Sequence, residues 1–293
     1  MIHLEIETRK DPNSSIARVI IAGDWKGDLI EAKRVLEKVC EKWEEWLKDT
    51  KVNFLITCGG FIQFPLPEYI SSKGDKLNPN KESVETLVKI AEENVRKLLD
   101  DDLEKKLKEF TDYITLGVDS YKEKISTTYN YINELHIELV FLKDLKKGNL
   151  YWTGKSYPTK GQERGIIRIA DLETHFLELD IGKVMLLGCH DLTIFNPRSK
   201  NAKGWRKEVR NKFIELAIKE QPRYVITHPH TTIKVRTWKL AWSGLTEIIP
   251  SVKYASAGRY YEPDRDPSTW DILDEVLKST KNTDTIDFIV WIK

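Results

Sequence analysis

The segment LLGCHDLTIFNPRS (Leu186–Ser199) sets a thiol, an imidazole and a carboxyl side by side, Cys189, His190 and Asp191, where an apolar run ends. A cysteine is only a few per cent thiolate at neutral pH, so it becomes a useful nucleophile only beside a base or a cation. Without such a neighbour a buried free cysteine is an inert apolar residue. Nucleophile, metal site and ordinary strand end therefore all stay open at this point. Farther along, THPHTT (Thr227–Thr232) carries His228 and His230. Two residues apart on a strand, they point to the same side and both can face a pocket. Arg198, in FNPRS, has the planar fork that pairs with a carboxylate or phosphate of a substrate.

Elements able to hold these residues are legible around them. IARVIIAGDW (Ile16–Trp25) is a β-branched run, and apolar residues at Leu29, Ala32, Val35, Leu36, Val39, Trp43 and Trp46 then mark one face of a helix opening at Asp28. VNFLITCGGF (Val52–Phe61) is a second buried strand, and strand, helix, strand implies a parallel sheet. A helical excursion at about 65–111 follows, with charged helices from Glu82. Strands are expected in DYITLGVDSY, ELHIELVFL and NLYWTGKSYP, and a strand, tight turn and strand in THFLELDIGKVMLLGCHDL. The helix Trp205–Glu220 leads to the strand RYVITHPH, the helix RTWKLAWSGLTEII and the strands VKYASAGRYY and IDFIVWI. The fold class is α/β, read as one domain over 1–293.

Composition narrows the partners. Basic residues number 47 and acidic 46, so no global field recruits a polyanion or an anionic membrane. No apolar run approaches the roughly 20 residues that span a bilayer, and no apolar signal segment opens the chain. Three cysteines, Cys40, Cys58 and Cys189, show no zinc-type pairing, which fits free thiols in the cytoplasm. Seven basic residues between Arg198 and Lys212 surround Trp205 and could admit nucleic acid, but such a run is more often a solvated helix face.

The succession YWTGKSYPTKGQE, LELDIGKVMLLGCHDL, helix, PRYVITHPHTT resembles the nitrilase or carbon-nitrogen hydrolase superfamily. The resemblance runs over about 16–261 and implies a nitrilase-like αββα sandwich with mixed sheets. It implies Cys189 as nucleophile, Lys155 some thirty residues before it, and Glu163 a few residues after the lysine. It also implies a small-molecule substrate, no cofactor and a homo-oligomer paired across the helix after the cysteine. The family's general base is a glutamate at the end of the second strand, where this chain has Cys58, Gly59 and Gly60. The nearest carboxylate is Glu68, in FPLPEY, about eight to ten residues farther on. Either Glu68 reaches the thiol or the base is absent.

Two other functions compete. Without the base, the fold would be a catalytically impaired pocket protein binding a ligand or partner through residues such as His190. Alternatively, Gly23-Asp24, Gly188-Cys189-His190-Asp191 and His228-Pro229-His230 follow the motif order of calcineurin-like two-metal phosphoesterases. That imitation lacks the early Asp-x-His, and Cys189 stands where an amide ligand belongs, so hard divalent ions lose their preferred oxygens. No metal is expected.

Overall fold

The computed structural model describes residues 3–11, 13–46, 50–67, 69–70, 81–120, 135–159, 165–231, 235–260 and 273–292. Glu68 and Glu163 lie outside these residues. The chain runs β1 (Leu4–Lys10), β2 (Ile16–Ala22), α1 (Leu29–Trp46), β3 (Val52–Ile56), β4 (Ile62–Phe64), α2 (Lys81–Leu98), α3 (Asp101–Phe110), β5 (Thr111–Ser120), β6 (His136–Asp144) and β7 (Leu150–Gly154). It continues through β8 (Ile166–Ile167), β9 (Phe176–Leu179), β10 (Gly182–Leu187), α4 (Trp205–Glu220), β11 (Tyr224–Thr227), α5 (Val235–Ile248), β12 (Lys253–Ser256), β13 (Arg259–Tyr260), α6 (Leu273–Ser279) and β14 (Thr285–Ile292).

Two mixed sheets form. The larger follows the order β1, β14, β2, β3, β5, β6, β7, with β13 beside β2, β4 beside β5 and β8 beside β6. The smaller follows β12, β11, β10, β9. Side-chain alternation along each strand sorts the core into layers. On the larger sheet Ala17, Val19 and Ile21 face α1, α2 and α3, while Ile16, Ile20, Phe54, Tyr113, Val140 and Leu142 face the other sheet. On the smaller sheet Val184, Leu186, Tyr224 and Ile226 face inward, and Met185, Leu187 and Val225 face α4 and α5. Helices, sheet, sheet, helices is an αββα sandwich. Strands β2, β5 and β6 are buried along their whole length, as covered strands must be.

Local chemistry sets the boundaries. Asp28 Oδ1 accepts the amides of Ile30 and Glu31 at 2.9 and 3.0 Å, capping α1 where the apolar periodicity begins. Asp100 does the same for α3 through Leu103, at 3.1 Å. Three strands lie outside the sequence expectation, the short β4 and β8 and the longer β1, which pairs antiparallel with β14 from Leu4 opposite Ile292 to Lys10 opposite Ile286. Its residues LEIETRK alternate, but only Leu4 is fully buried, so this edge strand is mostly polar and gives little apolar signal.

The inter-sheet face also buries an ion pair. Arg18, wholly buried, donates from Nε and Nη2 to the two oxygens of Asp287 at 2.7 and 2.6 Å, and from Nη1 to Thr280 Oγ1 at 2.9 Å. Burial pushes the Asp287 carboxyl up, but Arg18 outweighs it and holds the group below its ordinary range. A carboxyl so lowered stabilises the fold above the ordinary carboxylate pKa, and the contribution is lost as pH falls through the lowered value. Arg18→Ala, which strands the buried carboxylate, is expected to cost about 3–5 kcal/mol in urea unfolding at neutral pH. On acidification Arg18→Met should lose less stability than the parent chain. Equal losses in both chains would overturn this account of the pair.

Candidate active site

The register of the larger sheet lines up three ionisable groups. Asp119 on β5 lies opposite Glu138 on β6. Leu139 lies opposite Gly154, and the next amide, Lys155 N, donates to Glu138 O at 2.9 Å. Asp119 shares its side of β5 with Tyr113, and Glu138 shares its side of β6 with Val140 and Leu142, so all three groups face the other sheet. Lys155 Nζ donates to Glu138 Oε2 at 2.6 Å, and the two side chains are 0% and 4% exposed.

From the smaller sheet two loops meet this row. Directly after β10, Gly188 lets two backbones approach: a Cβ there would stand 3.1 Å from Lys155 N and 3.2 Å from its Cα. Cys189 follows, then His190 in the left-handed region at φ 70°, which costs on the order of 1 to 2 kcal/mol for a residue with a Cβ. Buried Asp191 accepts the amides of Tyr157 at 2.7 Å, Ser156 at 3.0 Å and Gly188 at 3.1 Å. Its carboxylate thus ties the cysteine turn to the lysine loop. Burial pushes the group up to about 7, against the pull of these amides and of Lys155. After β11, His230 donates its backbone N–H to Cys189 Sγ at 3.5 Å, and its Nε2 lies 2.5 Å from Asp119 Oδ2. His230 Nδ1 stands 3.8 Å from Glu138 Oε2.

Ligand atoms of Glu138, Cys189 and His230 lie within 4.8 Å of one another. Such a trio could hold a metal ion, but Lys155 already sits on the Glu138 carboxylate and Asp119 already holds His230. A divalent cation would have to displace an ammonium. Asp24, needed by the two-metal reading, is instead paired with Lys26 on the surface.

Charge sets the reactivity. Burial alone would raise the Cys189 thiol, yet His190, Lys155 and His230 overcome it and hold the thiol well below its ordinary value. At Cys40 and Cys58 burial outweighs the pull of Lys106 and Arg259, and the thiols are pushed up to about 12. Burial likewise opposes the Glu138 charge, and Lys155 and His230 hold that carboxyl well below its usual range. His230 is raised to about 10, since Asp119, Glu138 and Cys189 outweigh the burial that lowers it. His190 is raised chiefly by Cys189 and lies beside Trp238, with ring centroids 6.3 Å apart.

The structure therefore brings together Cys189, Lys155, His190 and His230 of the residues singled out from sequence. His228 is set deeper. Its Nε2 bonds Thr115 Oγ1 at 2.8 Å, its Nδ1 lies 3.3 Å from Leu187 O, and burial lowers it to about 4. Neither ring nitrogen is left for a substrate. Arg198 lies apart, on the surface beyond the cysteine turn. Sequence reasoning missed Asp119, Glu138 and the clamping role of Asp191. The signal was present: in ELHIELVFL the glutamate Glu138 falls on the same alternation as Val140 and Leu142, an acid on a core-facing position.

No family model matches the chain, and no curated protein does. Solved structures do resemble it. An amidase from Nesterenkonia sp. aligns over 85% of this chain and 78% of that chain, with 12% identity and a TM-score of 0.48. An alanine-for-cysteine variant of the Nesterenkonia AN1 amidase, from the nitrilase superfamily, aligns over the same shares, with 12% identity and a TM-score of 0.49. A further form of that amidase, with acrylamide added to its active-site cysteine, aligns over 83% and 78%, with 10% identity and a TM-score of 0.45. At these values no residue's role passes from those amidases to this chain.

Native protein treated briefly with iodoacetamide is expected to label Cys189 far ahead of Cys40 and Cys58, as read by mass-spectrometric mapping. The rate should hold on acidification below the ordinary thiol range, because the lowered pKa keeps the thiolate. In Lys155→Met the pH at half-maximal rate should rise by about one unit or more. A half-point unchanged by that substitution would sink the electrostatic account.

Proposed function

We propose that this chain is a thiol hydrolase cleaving a non-peptide C–N bond, amide or nitrile, of a small molecule. Cys189 is the nucleophile, resting as a thiolate paired with surrounding cations. With an amide, the thiolate attacks the carbonyl carbon, and the oxygen takes up charge that Lys155 Nζ stabilises. A positioned donor of this kind is worth about 10²–10³ in rate. The tetrahedral adduct collapses, the C–N bond breaks and the leaving nitrogen takes a proton from His190. Water then attacks the thioester, giving up a proton to Glu138; the adduct collapses to the free acid and the restored thiolate, and the proton on Glu138 returns to His190 to close the cycle. His230, held by Asp119, adds a second fixed cation and positions Glu138.

The observation that carries this reading is a carboxylate within reach of the thiol. Glu138 has an oxygen within 4.8 Å of Cys189 and shares Lys155 with it. Its other oxygen, Oε1, is buried with His136 Nε2 3.3 Å away. A buried carboxylate beside the thiol is placed to take a proton from an attacking water. The same carboxylate disfavours the impaired-pocket reading, which requires the base to be missing. Glu138 removes the need for Glu68, and Glu163 stays a candidate for a second carboxylate near Lys155. Three free buried cysteines fit a cytoplasmic setting, and half-exposed Ile218 on α4 fits a homo-oligomer paired over that helix.

The test is ammonia release from a panel of primary amides and nitriles, with acyl-enzyme sought by mass spectrometry. Cys189→Ala is expected to abolish turnover. Glu138→Gln should lower kcat by about 10²–10⁴ and let a thioester accumulate on Cys189. Turnover that survives Glu138→Gln unchanged would remove Glu138 from the mechanism. No ammonia and no acyl adduct from any compound would remove hydrolysis itself.

A further inference from the structure

A cavity of about 380 Å³ lies beside the cysteine turn, within the size range of small-molecule sites. Its lining residues neighbour those of the candidate active site in the chain. Tyr157 lines it, two residues past Lys155, and Thr193 lines it, four residues past Cys189. Two residues of chain span at most about 7 Å and four at most about 14 Å, so the cavity is within one small molecule's length of the thiol. Thr193 Oγ1 also donates to the carbonyl of His190 at 2.6 Å, joining the wall to that turn.

Three arginines line the cavity, Arg198, Arg206 and Arg236, and among the described residues no aspartate or glutamate does. Arg206 is held in place: its guanidinium carbon lies 3.9 Å from the centroid of the Tyr157 ring, and Nη1 donates to Pro158 O. Arg198 and Arg236 form no ion pair with a described residue, whereas Arg9, Arg18, Arg34 and Arg96 each hold a carboxylate. The chain as a whole carries a formal charge of only +1, so three cations around one cavity are a local arrangement and not a general surplus. Arg198 and Arg236, like charges converging with no described counter-charge, repel unless an anion joins them. The guanidinium fork matches planar oxyanions in particular.

We propose that this cavity is the subsite for an oxyanion on the substrate, a carboxylate or a phosphate, carried at the end opposite the C–N bond that meets Cys189. The proposal rests on the thiol-hydrolase reading and narrows it to anionic substrates. Arg198 and Arg236 take the anion, Arg206 closes one side, and affinity weakens as salt screens these exposed charges.

The experiment uses N-iodoacetyl aminoalkanoic acids of increasing chain length, their uncharged primary-amide twins and N-iodoacetyl aminoalkyl phosphates. The rate of labelling at Cys189 is measured for each on the full chain in a phosphate-free buffer. At some chain length an anionic probe should react about tenfold or more faster than its neutral twin. The ratio should fall towards one in Arg198→Gln/Arg236→Gln and in high salt. The carboxylate and phosphate arms show which anion fits. Equal rates at every length, or a ratio untouched by the double substitution, would overturn the subsite while leaving the thiol reading in place. If neutral iodoacetamide fails to label Cys189, the thiol reading itself falls, and calorimetric titration with inorganic phosphate decides the cavity alone. Phosphate binding lost in the double variant supports an anion site; absence of binding overturns it.

Discussion

Asp191 couples the two sheets at the point where their strand ends must touch. Its carboxylate receives three backbone amides, one from the loop it terminates and two from the chain just past Lys155. Without that acceptor three buried N–H groups would lack partners, each at a cost of about 1–3 kcal/mol. The approach it secures is close enough that a Cβ on Gly188 would press on the Lys155 backbone. Gly117 and Gly59 lie in still closer approaches: a Cβ on Gly117 would stand 2.2 Å from Cys58 O, and one on Gly59 would stand 2.5 Å from His228 O. The thiol, the ammonium and the carboxylate are brought together by backbone packing, and their side chains then need little freedom to meet.

The same packing leaves no carboxylate at the end of β3. At the end of β3 the chain passes through Cys58, Gly59 and Gly60 pressed against the β11 loop, with Gly59 N donating to Pro229 O at 3.1 Å. The ring of His230 stands 3.2 Å from where a Cβ on Gly59 would be. A glutamate has no room there. The buried carboxylate beside the thiol, Glu138, comes from β6, in register with Asp119 on one side and Lys155 on the other. Anions and cations then alternate across the sheets: Asp119 with His230, Glu138 with Lys155, Cys189 with His190. Buried charges of either sign are costly alone, and this alternation offsets the cost.

Much of the frame was legible because the core is strictly patterned. Continuous apolar runs at β2, β5 and β6 and three-four spacing in α1 are imposed by burial on two faces or on one stripe, and such patterns survive in any sequence that folds this way. The α/β class followed from that succession, and the αββα order was implied by the resemblance to the nitrilase superfamily. What escaped was set by tertiary register. Nothing within ELHIELVFL says that Glu138 will oppose Asp119 and neighbour Lys155, since strand offset is fixed by loops and by the partner sheet. The mostly polar edge strand β1 escaped for the opposite reason, since its backbone pairs with β14 while its side chains bury little.

His228 and His230 show how far a two-residue rule carries. Alternation puts both on the inter-sheet side, and both reach β5, one at Thr115 and the other at Asp119. Direction is therefore local and depth is not. His228 is wholly buried beside a neutral hydroxyl, so it stays uncharged and acts as a hydrogen-bonded piece of the core. His230, with its side chain 19% exposed and carboxylates beside it, carries a proton at neutral pH. One turn of the pleat separates a structural imidazole from a cation that helps hold a thiolate, and the difference lies in which β5 residue each ring meets.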